Sequence, residues 1–126
     1  SWIAVAYADW KLANGPAPSD VIAAAADCGC SGILIDTFSK GRLRLLEWLD
    51  GSRLNLLAAQ ARSLDLTFAL AGRLQIGDLP QVLAVGPDIV GIRSAACLGH
   101  DRSGEVDTGA VRGFREALRA GCVEPL

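Results

Sequence analysis

Gly32-Ile33-Leu34-Ile35-Asp36 is a short aliphatic run that opens on a glycine and closes on an acid. Its apolar residues are continuous rather than alternating, the pattern of a strand buried on both faces in a parallel sheet covered by helices. Working outward, Ile3–Tyr7, Leu66–Leu70 and Asp88–Ile92 read the same way. Helical patterns separate them. Ser19 is a candidate N-cap for a helix Asp20–Cys28 that stops at Gly29. Ser52 is a candidate cap for Arg53–Leu64, in which Leu54, Leu57, Ala58 and Ala61 share one face. A turn of helix is expected within Leu43–Leu49. Asp78 opens a short helix Leu79–Val85 closed by Gly86-Pro87, and Asp107 caps a last helix Thr108–Ala120 closed at Gly121.

The chain therefore reads as β-α repeated four times, with about 22–34 residues from strand to strand, the length of a βαβ repeat. Four such units in 126 residues are half of a (β/α)8 barrel, which needs roughly 250 residues. The expected fold is α/β of the TIM-barrel kind, with residues 1–126 forming a single (β/α)4 half-barrel domain. An open doubly wound sheet is the alternative; it usually carries five or six strands and a Gly-rich first turn. No G-x-G-x-x-G string and no P-loop occur. The chain starts inside the apolar run Trp2-Ile3-Ala4-Val5-Ala6 and contains no Met, as expected of a piece of something longer.

Composition narrows the function classes. Apolar residues make up 51%, too many for a disordered chain. With 12 basic and 14 acidic residues and no basic run longer than two, a nucleic-acid backbone binder is not expected. No apolar run approaches about 20 residues, so no membrane-spanning helix is expected. The four cysteines, Cys28, Cys30, Cys97 and Cys122, and the one histidine, His100, do not form a zinc spacing, so no metal is expected. Ser1–Trp10 lacks the basic flank of a secretory leader, and scattered cysteines point to a reducing cytoplasm.

In parallel α/β folds, chemistry gathers at the carboxyl ends of strands. Those ends are Tyr7 with Asp9, Asp36-Thr37 with Lys40, Ala71-Gly72-Arg73, and Gly91-Ile92-Arg93-Ser94-Ala95-Ala96. Asp36 and Lys40 suit a proton-shuttling pair, and lysine also suits imine chemistry with carbonyl substrates; the alternative is a surface ion pair. Gly72 and Ser94-Ala95 are small enough for backbone N–H groups to approach a phosphate, and Arg93 adds a fork of donors; the alternative is glycine merely ending a strand. Tyr7 and Asp9 are placed to contact substrate, Asp9 alternatively to hold its own loop. His100-Asp101-Arg102 reads as a solvated loop, with the lining of a lid as the alternative, and Cys97 lacks a histidine partner for a nucleophile role.

Taken together, Ala6-Tyr7-Ala8-Asp9, Leu34-Ile35-Asp36-Thr37 with Lys40, Ala69-Leu70-Ala71-Gly72, and Asp88-Ile89-Val90-Gly91-Ile92-Arg93 with Ala95-Ala96-Cys97 and Asp101-Arg102 resemble the (5-formylfuran-3-yl)methyl phosphate synthase family. The likeness runs over nearly the whole chain, but only over that family's C-terminal half. It implies a (β/α)8 barrel and a Schiff-base lyase, a carbon–oxygen lyase acting on phosphates. It implies condensation of two glyceraldehyde 3-phosphate molecules into a furan aldehyde phosphate for methanofuran-type one-carbon carriers. The imine-forming lysine is implied to lie in the other half. Asp36 and Lys40 match the family's second-half catalytic pair, and Gly72 and Arg93–Ala95 match its phosphate-binding loops. No cofactor is implied. The partners implied are a triose phosphate and either the absent N-terminal half-barrel or a second copy of this chain. This half alone is expected to be inactive; a non-catalytic, self-associating phosphate binder is the other reading.

Overall fold

Four parallel strands form one sheet in the order in which they occur in the chain: β1 (Ile3–Tyr7), β2 (Gly32–Asp36), β3 (Thr67–Leu70) and β4 (Ile89–Val90). The computed structural model describes residues 1–39, 41, 43–97, 99 and 104–121. The register sets Tyr7 beside Asp36, Ile35 beside Leu70 and Leu70 beside Val90, so the carboxyl ends of the strands share one rim.

Side chains alternate across a strand, and the two faces of this sheet have different fates. On one face Ala6, Ile33, Ile35, Phe68 and Leu70 are buried. Against them pack Ile22 and Ala25 of α1 (Pro18–Asp27), Leu54, Ala58 and Ala61 of α3 (Gly51–Ser63), and Val82 and Val85 of α4 (Leu79–Val85). Each fully buried large aliphatic or phenyl side chain contributes about 1.5–3 kcal/mol to folding. A smaller cluster joins Leu79, Ala95 and Phe114, the last from α5 (Thr108–Gly121). The opposite face is open: Ile3, Val5, Tyr7 and Ile89 retain 54%, 44%, 36% and 50% exposure.

The continuous aliphatic strands predict cover on both faces, and the described residues supply cover for one. A doubly wound sheet reverses its strand order and carries helices on both sides. Neither feature occurs among the described residues. The sequential parallel sheet with helices on one face is compatible with a half-barrel.

Several helix boundaries differ from the sequence reading. Helix α1 starts one residue before the expected cap, on Pro18, with Ala17 as N-cap and no side-chain cap bond. Proline at the first helical position has its φ preset and has no N–H to satisfy, so the Ser19 hydroxyl is not needed there. Helix α3 is capped by Asp50 rather than Ser52: its Oδ1 accepts the Arg53 N–H at 2.9 Å. The short α2 spans Leu45–Trp48, and a 3-10 turn over Ile76–Asp78 precedes α4. Strand β4 is two residues long instead of five. Asp107 caps α5 as expected, its Oδ2 accepting the Ala110 N–H at 2.9 Å. Among the described residues, no helix is long and apolar enough to cross a membrane.

Candidate functional site

The strand ends build the site from three loops. Asp36 closes β2; it is half-buried, and its Oδ1 accepts the Thr37 N–H at 2.8 Å. The loop after it is held from β1. Asp9 is 2% exposed, and its Oδ1 and Oδ2 accept the N–H groups of Phe38 at 2.7 Å and Ser39 at 2.8 Å. The rings of Tyr7 and Phe38 pack at 5.4 Å over the same junction.

After β3 the chain turns through Gly72 at φ +117° and Arg73 at φ +54°. A Cβ on Gly72 would lie 2.9 Å from Thr37 Cγ2, so only glycine fits both the backbone angle and the space. Its carbonyl accepts the Leu45 N–H at 2.9 Å, which ties the turn to α2. After β4, Gly91, Ile92 and the exposed Arg93 lead into a 3-10 turn, Ser94–Ala96, whose three residues are buried. The Cys97 thiol donates to the Arg93 carbonyl at 3.1 Å.

These loops enclose an open cleft of about 230 Å³. Asp36, Thr37 and Ser39 line it from β2, Ala71, Gly72 and Arg73 from β3, and Gly91 to Ser94 from β4. It thus brings together four of the sequence-derived candidates, Asp36, Gly72, Arg93 and Ser94. Tyr7 and Asp9 do not line it: Asp9 is spent on the β2 loop, and Tyr7 stands on the open sheet face. Ala95 lies beneath the cleft, in the cluster with Leu79 and Phe114. Lys40, His100, Asp101, Arg102 and Cys122 lie outside the described residues. Sequence reasoning does not single out Ser39, Arg73 and Gly91 as binding residues, although each lies within three residues of a strand end. A second groove of about 310 Å³ runs between α1 and α3, lined by Trp10, Leu56 and Leu57. It is more apolar, shares no lining residue with the strand-end cleft and has no acid among its lining residues.

The electrostatics of the cleft are simple. Among the described residues that line it, Arg73 and Arg93 are the cations and Asp36 the acid. Among the described residues, neither arginine makes an ion pair, whereas Arg44 is bound to both Glu47 and Asp78. Guanidinium forks beside hydroxyls and close-approaching backbone suit an anion with several acceptor oxygens.

A family model described as 4-HFC-P synthase matches residues 1–115. The chain belongs to the 4-HFC-P synthase family. Relatives bearing the name (5-formylfuran-3-yl)methyl phosphate synthase agree. The protein of Methanothermobacter thermautotrophicus is 35% identical over 117 residues, covering 92% of this chain and 50% of its own length. That of Methanopyrus kandleri is 36% identical, covering 92% and 49%. That of Methanocaldococcus jannaschii is 34% identical over 118 residues, covering 93% and 50%. The chain thus spans about half the length of these 4-HFC-P synthase relatives. The 4-HFC-P synthase match includes all three loops that line the cleft.

Proposed function

We propose that this chain is one half of a (5-formylfuran-3-yl)methyl phosphate synthase, a (β/α)8 barrel whose other units close the open sheet face. In this reading the complete enzyme is a cytoplasmic Schiff-base lyase. It condenses two glyceraldehyde 3-phosphate molecules, with loss of inorganic phosphate and water, to supply methanofuran-type carriers. The imine forms on a lysine outside this chain. The reaction then needs a proton removed from the carbon beside the imine and a proton returned to a departing hydroxyl. Asp36 and Lys40 perform these transfers, and Gly72, Arg93 and Ser94 hold the substrate phosphate.

The observation that supports this most is the cleft itself, where a strand-terminal carboxylate shares one space with a glycine turn and a guanidinium. Calorimetry with inorganic phosphate tests the binding part. Arg93→Ala should weaken binding by about 1–3 kcal/mol, the range for a charge-assisted contact. Equal affinity in both proteins removes Arg93 from the site.

The exposed apolar residues Ile3, Val5 and Tyr7 on β1 and Ile89 on β4 favour a second reading, a non-catalytic phosphate-binding half-barrel that self-associates through this face. The two readings part on whether product forms once the other half is supplied.

A further inference from the structure

Three non-glycine residues among those described have a positive φ: Asn14 at 52°, Asp65 at 55° and Arg73 at 54°. Asn and Asp visit this region readily because their short polar side chains bond locally, and both lie in loops beside other elements. Arginine has no such local compensation. Arg73 also follows Gly72, which itself carries a positive φ, so two consecutive residues leave the ordinary backbone regions where the chain meets the cleft. Local strain that persists at a cleft is a pointer to function.

Arg73 is half-buried and lines the cleft with Arg93; among the described lining residues Asp36 is the one acid. Resting on the phosphate-cleft reading above, we infer that Arg73 is a second anion-binding side chain. With Arg93 it makes the cleft selective for a doubly charged phosphate group over a singly charged carboxylate. The two guanidiniums come from consecutive strand ends, after β3 and after β4. Each therefore contributes donors from a different loop, and one tetrahedral group with three free oxygens can accept from both. A carboxylate offers two oxygens and one charge, and satisfies one fork.

The test uses the 126-residue chain with inorganic phosphate, glycerol 3-phosphate and acetate as probes in calorimetry. The informative variant is Arg73→Gly, because glycine relaxes the backbone angle while removing the guanidinium. Phosphate and glycerol 3-phosphate affinity should fall at least tenfold and the preference over acetate should shrink, while the melting temperature holds or rises. Arg73→Lys keeps the charge but not the fork, and should fall between the two. Unchanged phosphate affinity in Arg73→Gly overturns the inference, whatever happens to the melting temperature. Failure of the unsubstituted chain to bind either phosphate overturns the phosphate-cleft reading and this inference with it. Binding by the unsubstituted chain that survives Arg73→Gly sinks the inference alone.

Discussion

Asp9 holds Ser39 from the neighbouring strand: its Oδ2 accepts the Ser39 N–H at 2.8 Å while its Oδ1 takes the N–H of Phe38 at 2.7 Å. The two residues are 30 positions apart, yet this contact sets where the β2 loop enters the cleft, immediately before Lys40 in the chain. A buried carboxylate with both oxygens on backbone donors is a strong local restraint.

Asp9→Ala should therefore cost more than an ordinary surface change. It leaves two part-buried backbone donors without their acceptor, and about 1–3 kcal/mol is expected for the pair, since water can reach them in part. Urea denaturation reads the loss, and amide exchange should quicken at Phe38 and Ser39 in particular. A stability equal to that of the unsubstituted chain, with both amides still protected, refutes the clamp.

Gly72→Ala should destabilise the chain by about 1–3 kcal/mol, the cost of holding a side chain in a sparsely populated backbone region. The added methyl also meets Thr37 in the cleft wall, so phosphate binding should weaken in parallel. A denaturation midpoint within error of the unsubstituted chain contradicts the close packing of these two loops.

The open sheet face predicts association. Ile3, Val5, Tyr7 and Ile89 form an exposed apolar surface, and β1 and β4 are both edge strands. At micromolar concentration the isolated chain should scatter light as a dimer or larger species. Val5→Lys should shift it toward monomer by placing a charge on that face, at its β1 edge. A monodisperse monomer that binds no exposed-surface dye rules the association out.

How legible this was in the sequence depends on the range of the physics involved. The bounds of β1 and β2 follow from local composition, because an aliphatic run bounded by turn residues has few other solutions. Helix starts were blurred where two capping devices sit within three residues, as with Pro18 against Ser19 and Asp50 against Ser52. The shortness of β4 depends on where β3 stops pairing, which no local pattern encodes. That Asp36, Gly72, Arg93 and Ser94 share one cleft is legible from sequence because strand ends in parallel folds converge. The clamp by Asp9 was only an alternative to substrate contact, since its partners lie on the next β-α unit. Arg73 was read as part of a strand end and no more, because its left-handed backbone is a tertiary property.

On the proposed function, this chain is one half of a furan-forming synthase in which Asp36 and Lys40 move protons. The most direct measurement joins it to the matching first half of the Methanothermobacter thermautotrophicus relative and follows furan aldehyde formation from glyceraldehyde 3-phosphate by ultraviolet absorbance. Product should form, with turnover reduced about 10²–10⁴-fold by Lys40→Ala and clearly slowed by Asp36→Asn, the usual worth of a positioned acid or base. Borohydride should still trap a substrate adduct in the Lys40→Ala protein, on a lysine outside these 126 residues. A folded, phosphate-binding chimera that forms no furan, or one whose turnover is untouched by both substitutions, contradicts it.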